Sequence, residues 1–241
     1  MNAEFIFEST VRISDCDAFG RWRLSSILGH AQEIAEHHAA SLGLSRNTML
    51  ESNICWIIYR QSVRIHTFPT CYDAFRMITW PGAVDGPLFP RYFLIERPDG
   101  ARVGELVSSW LLLDVKTRKP QRPGVLPRKL PQSDREPPLP LPAMLRIQEA
   151  SVIGTRSVCY SDLDMNGHMN NTRYADWVCD ALGVKTMREK RLSRIQINYI
   201  AETYAEDIIE LSRQETDDGV LVSGNRISDR KTVFESSVSL A

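Results

Sequence analysis

A short pattern that occurs twice constrains this chain more than any other feature of its sequence. Asp15-Cys16-Asp17-Ala18-Phe19-Gly20-Arg21 and Asp162-Leu163-Asp164-Met165-Asn166-Gly167-His168 share two aspartates and a glycine at a constant offset of 147 residues. The flanks agree as well. Residues 5–13 partly alternate in strand fashion before the first copy, and 155–160 read as a strand before the second. After the first copy, Leu24, Ile27, Leu28, Ala31, Ile34, Ala35 and Leu42 recur at helical spacing, and Gly43 supplies a stop. After the second, Tyr174, Trp177, Val178, Ala181 and Leu182 give a helix, with Asn170 or Asn171 as N-cap. Strand-like runs then follow in each half, at 55–65, 74–80, 91–96 and 103–115, and at 194–199, 208–214, 220–228 and 233–240.

Each half is thus strand, turn, one long helix, then a series of strands. Strands and helices do not alternate, which disfavours a doubly wound parallel sheet. The order predicts an α+β fold in which an antiparallel sheet wraps around one central helix. A repeat on this scale implies two similar units able to share a pseudo-symmetric core. The 241 residues provide for two domains of about 100–120 residues each. Eight of the 13 prolines lie between 120 and 142. A run such as Pro137-Pro138-Leu139-Pro140-Leu141-Pro142 can neither continue a helix nor sit inside a sheet. It reads as an extended linker at 120–142 between domains at 1–119 and 143–241.

Composition removes several classes of function. With 43% hydrophobic and 24% charged residues, the chain can bury enough apolar surface to fold, so disorder is excluded as its main state. No apolar run approaches the roughly 20 residues of a membrane-spanning helix. A net charge of −1 supplies no bulk field toward nucleic acid or an anionic membrane. The five cysteines are odd in number and lack C-x-x-C spacing, so reduced thiols are expected. Met1-Asn2-Ala3-Glu4 opens neither a secretory signal nor a transit peptide, and a cytoplasmic location is expected.

The densest polar cluster is Asp162, Asp164, Asn166, His168, Asn170 and Asn171, in the turn before the second helix. Unpaired amides at a helix start attract an anion or oxyanion. The same residues would also serve as Asx turns and an N-cap. Asp162-x-Asp164-x-Asn166-Gly167 matches the opening of an EF-hand loop, but Arg173 stands where the twelfth-position glutamate belongs. His168 has no His or Cys at zinc-ligand spacing, so no metal is expected. The copies differ where chemistry would reside: Phe19 stands against Asn166, and Arg21 against His168. That is the pattern expected if a duplicated unit kept its turn in both copies and its reactive groups in one.

The segment from Asp162 to Tyr174 resembles the signature of the acyl-acyl carrier protein thioesterases, double hotdog enzymes of plants and bacteria. The resemblance extends over most of the chain. Residues 24–42 are similar to the family's first hotdog helix. Trp56-Ile57-Ile58-Tyr59-Arg60 and residues 63–70 resemble the strand after it, 108–120 the end of the first domain, and 120–142 falls at the linker. It implies a tandem hotdog, with an N-terminal acyl-binding domain and a C-terminal catalytic one. Residue by residue, the family's catalytic Asp, Asn and His fall on Asp164, Asn166 and His168, and its catalytic Glu on Glu202. Plant members often carry a cysteine after this glutamate; here it is Thr203, which argues against a cysteine nucleophile at that position. Phe68 stands at the place equivalent to Glu202 in the first unit.

The implied reaction is hydrolysis of a fatty acyl thioester by activated water, with no cofactor. Asn166 would polarise the carbonyl or position the water, amides near Asn170 to Thr172 would hold the oxyanion, and Asp164 would orient Asn166 or His168. Glu202 is the preferred general base, with His168 sharing or assisting that role. Asp162 reads as structural, because Asp15 retains it in the other unit. Candidate acyl-lining residues are Trp56, Ile57, Ile58, Trp80 and Trp110, around the first helix; each could equally be ordinary core. The implied partner, acyl carrier protein, is acidic and would meet a basic patch. Lys116, Arg118, Lys119, Arg122, Arg128 and Lys129 form one such stretch, and Lys185, Arg188, Lys190, Arg191 and Arg194 another. Lys119, Arg122, Arg188 and Arg191 are taken as the carrier-binding candidates. No nucleic-acid module is recognisable. An acyl-CoA thioesterase, a silent acyl- or carrier-binding hotdog and a hydratase remain as alternatives, and the chain is expected to be a monomer or homodimer.

Overall fold

The computed structural model describes residues 2–241 and divides into two compact units, Met1–Pro142 and Ala143–Ala241. The first contains β1 (Phe5–Thr10), α1 (Leu24–Ser41), α2 (Arg46–Glu51), β2 (Ile54–Ile65), β3 (Ala74–Pro81), β4 (Phe89–Glu96), β5 (Arg102–Asp114) and β6 (Pro120–Gln121). Its strands pair antiparallel in the order β1-β3-β4-β5-β2, with β6 added to β5. The second contains β7 (Ser151–Ser157), α3 (Arg173–Leu182), α4 (Val184–Glu189), β8 (Leu192–Tyr199), β9 (Ile208–Thr216), β10 (Gly219–Arg226) and β11 (Thr232–Leu240). Its order is β7-β9-β10-β11-β8, again antiparallel throughout. The two orders are the same once β1 is matched to β7 and β2 to β8. Each unit is an antiparallel sheet around a helix, as the repeat predicts, and this is the hotdog arrangement that the resemblance implies.

The long helix of the first unit forms where the apolar spacing places it. Leu24, Ile27, Leu28, Ala31, Ile34 and Ala35 are buried at the i, i+3, i+4, i+7 positions that make one face. The helix ends at Ser41 with Leu42 as its C-cap, followed by Gly43 in a left-handed conformation. Its contacts define the inner face of the sheet. Phe75 on β3 lies 4.3 Å from the Trp22 ring and 5.3 Å from that of His30, so Phe75, Met77 and Thr79 face the helix. Strand alternation then turns Ile78 and Trp80 to the outer face.

The proline-rich stretch is extended, as its composition requires, yet it is not a free linker. It lies with the first unit up to Pro142. Pro120 and Gln121 pair with β5, while Leu126 and Leu130 pack on a cluster of Ala39, Leu44, Met49, Ile54, Phe89 and Leu112. Leu139, 1% exposed, joins Ile78, Trp80, Tyr92, Leu94 and Val107 on the outer face, with Leu141 beside it. Closely spaced prolines lack the amides that a continuous strand ladder needs, but they do not prevent side-chain burial, and the leucines between them supply the apolar contact. The stretch is a strap across the back of the sheet. Leu139→Ala should therefore cost about 2–5 kcal/mol of stability, measured by urea unfolding. A free linker would give a change near zero.

Candidate active site

The site is built on the repeated turn. In both units two aspartates satisfy the backbone before the helix begins. Asp15 Oδ2 accepts the Arg12 amide at 3.2 Å and Asp162 Oδ2 the Cys159 amide at 2.9 Å. Asp17 Oδ1 accepts the Phe19 amide at 2.8 Å and Asp164 Oδ1 the Asn166 amide at 2.8 Å. Gly20 and Gly167 follow at φ +74° and +78°, a conformation that favours glycine. Asp162 is thus structural in the way its counterpart suggests. Asp164 has the same task as Asp17: its carboxylate holds the turn that presents Asn166, and its own amide donates to the His168 carbonyl at 2.9 Å. It is a positioning residue.

The second turn is followed by a cap one position removed from expectation. Helix α3 begins at Arg173 with Thr172 as its N-cap. Asn170 nonetheless does capping work, because its Oδ1 accepts both the amide and the hydroxyl of Thr172, at 2.9 and 2.8 Å. The Asn170 amide donates to the Asp162 carbonyl at 2.8 Å. Two of the three amides expected to hold an oxyanion are therefore committed within the turn.

His168 and Glu202 come together from different elements. His168 ends the turn, and Glu202 follows β8. A bridge between His168 and Tyr204, with the Met169 amide donating to the Thr203 carbonyl at 2.9 Å, fixes the two segments side by side. His168 Nδ1 lies 3.5 Å from Glu202 Oε1, with the side chains 26% and 34% exposed. Tyr204 donates its hydroxyl to Glu202 Oε2 at 2.9 Å and sets its ring edge-on to His168 at 5.0 Å. Arg226, at the end of β10, donates to the Glu202 carbonyl and pairs with Asp207 at 3.2 Å. Asn166 is exposed on the same turn. Tyr204, Arg226 and Asp207 were not found from the sequence. They follow no motif spacing, and β10 brings Arg226 back from 24 residues beyond Glu202.

Behind the pair, Tyr174 and Tyr199 tie helix to strand. Tyr174 and Thr203 hydroxyls lie 2.9 Å apart, and Tyr199 donates to the Asn171 carbonyl at 3.2 Å. Thr203 is buried, so this position after Glu202 serves a structural hydrogen bond. No group of three His, Cys, Asp or Glu among the described residues is placed to hold a metal ion.

The same positions in the first unit are chemically silent. The Trp22 amide donates to Pro69 as Met169 does to Thr203, and Arg21 bridges Thr70 as His168 does Tyr204. That register puts Phe68 opposite Glu202, as the sequence implied. Arg21 pairs with Asp17 at 3.0 Å and lies over Phe19 and Phe68, 4.8 and 5.9 Å from their centroids.

Residues 3–124 match the family model of the acyl-ACP thioesterase N-terminal domain, and residues 146–236 that of the C-terminal domain. The chain belongs to the acyl-ACP thioesterase family. Oleoyl-acyl carrier protein thioesterase 2 of Arabidopsis thaliana is 24% identical over 220 residues, covering 82% of this chain and 59% of that protein. The chain spans about half the length of the curated relatives it matches. An acyl-ACP thioesterase from Bacteroides thetaiotaomicron has a similar structure, with TM-score 0.92, 24% identity and coverage of 99% of this chain and 98% of that one. The 12:0-ACP thioesterase from Umbellularia californica aligns over 100% and 98% at TM-score 0.81 and 17% identity. These structures share the fold.

Of the five acyl-lining candidates, Ile57 alternates with Trp56 and Ile58 on β2 and turns to the outer face, and three of the other four meet on the inner face of this family member's first unit. Trp56 stands edge-on to Phe89 at 4.8 Å. Ile58 is opposite Trp110 on β5, and Trp110 opposite Phe89 on β4. Trp56 and Trp110 are partly buried against the cluster containing Ala39 of α1. Trp80 is the exception. It sits on the outer face beneath Leu139, with Arg135 over its ring at 5.6 Å, and so does not line a space around the helix. Lys119, Arg122, Arg188 and Arg191 are all exposed, the latter two at the end of α4 and just beyond. Among the described residues no helix is long and apolar enough to cross a membrane.

Burial pushes the Tyr174 phenol up to about 12, from an ordinary value near 10. The folded protein therefore holds this proton more tightly than the unfolded chain. Its contribution is intact below about pH 10 and is lost as pH rises toward 12. Urea unfolding between pH 9 and 11.5 should show stability falling with pH, and Tyr174→Phe should flatten that fall; an unchanged slope contradicts the assignment.

Proposed function

We propose that this chain is a thiolester hydrolase that splits fatty acyl-[acyl carrier protein] into free fatty acid and carrier thiol. The observation that carries the reading is the His168–Glu202 pair beside Asn166, in a chain whose two halves match the two domains of the family. Water adds to the thioester carbonyl, the carbon–sulfur bond breaks, and the sulfur leaves as thiol with a proton. Glu202 has Oε2 engaged by Tyr204 and Oε1 turned to His168 Nδ1. We therefore assign the proton-accepting role to His168 through Nε2, with Glu202 fixing the tautomer and orientation of the ring. This moves the base from the carboxylate to the imidazole it faces. A 3.5 Å separation is longer than a hydrogen bond, and contacts of this kind tighten in the substrate complex. Asn166 directs its amide at the carbonyl oxygen, a task that falls to it because neighbouring amides are committed in the turn.

The first unit supplies the acyl-binding surface with Trp56, Ile58 and Trp110, and the second the chemistry. The exposed cations Lys119, Arg122, Arg188 and Arg191 meet the acidic carrier, where charge complementarity raises the association rate. The five cysteines form no disulfide among the described residues, which is compatible with a reducing compartment such as the cytoplasm, and the product fits a role in fatty acid biosynthesis.

Thiol release from carrier-protein and CoA thioesters with C4 to C18 chains tests this reading. Asn166→Ala should lower kcat about 10²–10³-fold. His168→Ala and Glu202→Ala should each lose at least about tenfold with folding intact. Charge reversal at Arg188 should raise KM for the carrier thioester and leave the CoA thioester unchanged. Absence of thiol release from every substrate would replace the enzyme by an acyl-binding protein.

A further inference from the structure

The inner face of the first unit carries a charge that the hydrolytic reading does not use. Arg91 lies on β4, two residues from Phe89 and on the same face, and is only 8% exposed. Its Nη1 is 3.2 Å from His38 Nδ1 on α1 and 3.2 Å from Thr79 Oγ1 on β3. Both acceptors are neutral. His38 Nε2 faces the Asn2 carbonyl at 3.2 Å, so that nitrogen carries the proton and Nδ1 offers a lone pair to the guanidinium. Burial and the nearby cation hold His38 below its ordinary value, consistent with an uncharged ring. Among the described residues no carboxylate lies within ion-pair distance of Arg91. Glu36 influences it through its field, but its carboxylate accepts the Arg46 amide.

A buried cation without a counter-charge is expensive to maintain, and the second unit shows that the fold does not require one. The Arg97 amide donates to Ala101 and the Arg226 amide to Lys231, closing equivalent hairpins. Six residues back from each, along strands without a register shift against β3 or β9, stand Arg91 and Val220. Val220 is buried, at 3% exposure. An aliphatic side chain fills the position in one copy and a guanidinium in the other.

With Nη1 engaged, the Nε–H and Nη2–H edge of Arg91 has no partner among the described residues. Those two donors form the fork that receives a carboxylate in bidentate fashion. Next along the same face are Phe89, its cross-strand neighbour Trp110, and Trp56 edge-on to Phe89. We propose that the first unit contains a binding site for an alkyl carboxylate, whose anionic end pairs with the Arg91 fork and whose chain lies against Phe89, Trp110 and Trp56. The carboxylate can belong to a free fatty acid or to the far end of an acyl chain that bears one. The inference rests on the first unit alone and does not require that the second be hydrolytic.

Calorimetric titration of the full chain with decanoate and with 1-decanol tests the site without turnover. Wild type should bind decanoate at least tenfold more tightly than the alcohol. Arg91→Gln should abolish the preference, and Arg91→Lys, which keeps the charge but not the fork, should retain part of it. Equal affinities in wild type, or no binding of decanoate, overturn the proposal whether or not either variant folds. The source is decided by kcat/KM for the CoA monothioester of decanedioic acid against decanoyl-CoA. A preference for the diacid chain that Arg91→Gln removes assigns the distal carboxylate; equal values with decanoate binding intact assign the free acid. If no thioester is hydrolysed, the hydrolytic reading fails, and the titration still decides the site.

Discussion

Each unit depends on a turn whose backbone is satisfied by its own carboxylates before a helix starts. A chain leaving a strand and entering a helix across the sheet face exposes several amides in sequence, and buried or half-buried amides need acceptors. Two aspartates two residues apart provide them, and a glycine at positive φ closes the turn. The bonds are matched pair by pair: Asp17 to Phe19 and Asp164 to Asn166, each at 2.8 Å. The turn then sets where the helix begins, and the helix sets which face of each strand is buried. These bonds use backbone amides, so they make no demand on which side chains stand before and after the glycine, at 19 and 21 or at 166 and 168.

That freedom lets the two copies carry different side chains on a single backbone plan. Arg21 occupies the place of His168 but is always charged and cannot accept a proton. It is held by Asp17 and stacked between two aromatic rings. Phe68 in place of Glu202 removes the carboxylate that would orient a base. The converse substitution occurs on the neighbouring strands, where Arg91 places a cation in the first unit at the position of Val220. A duplicated fold serves as its own control: what both copies keep is required by the backbone, and what one copy alone keeps calls for another cause.

The parts legible in the sequence were local. The turn, the α1 stripe from Leu24 to Ala35 and the matched strand order all follow from spacing within a few turns of chain. Glu202, with Phe68 as its equivalent in the first unit, was implied only by the resemblance to the family. The illegible parts are non-local or depend on a face. Period-two alternation shows that Trp80 and Thr79 point oppositely, but only the contact of Phe75 with Trp22 and His30 tells which side meets the helix. Prolines announced an extended segment, whereas the burial of Leu139 depends on an apolar outer face contributed by β3, β4 and β5. Arg226 reaches Glu202 through a hairpin register that no spacing encodes, and Tyr204, two residues beyond Glu202, bends back to it without any motif to announce the contact.

The support around Glu202 differs in kind from that around His168, and this bears on their roles. His168 sits in a turn determined by Asp164 and Gly167 and by its pairing with Tyr204, so its backbone is fixed locally. Glu202 lies beyond the end of β8, where strand pairing has ceased, and its carbonyl is held by Arg226, itself anchored on Asp207. Its carboxylate is steadied by Tyr204, whose ring also packs on His168. Carboxylate and ring are thereby both referred to Tyr204. A group held in this way is suited to orienting a neighbour, because its value lies in a fixed relation to that neighbour. A group that must meet water and then a leaving sulfur needs an open face. Of the two ring nitrogens, Nδ1 is turned to the carboxylate, which is the reason the proposed exchange is assigned to Nε2.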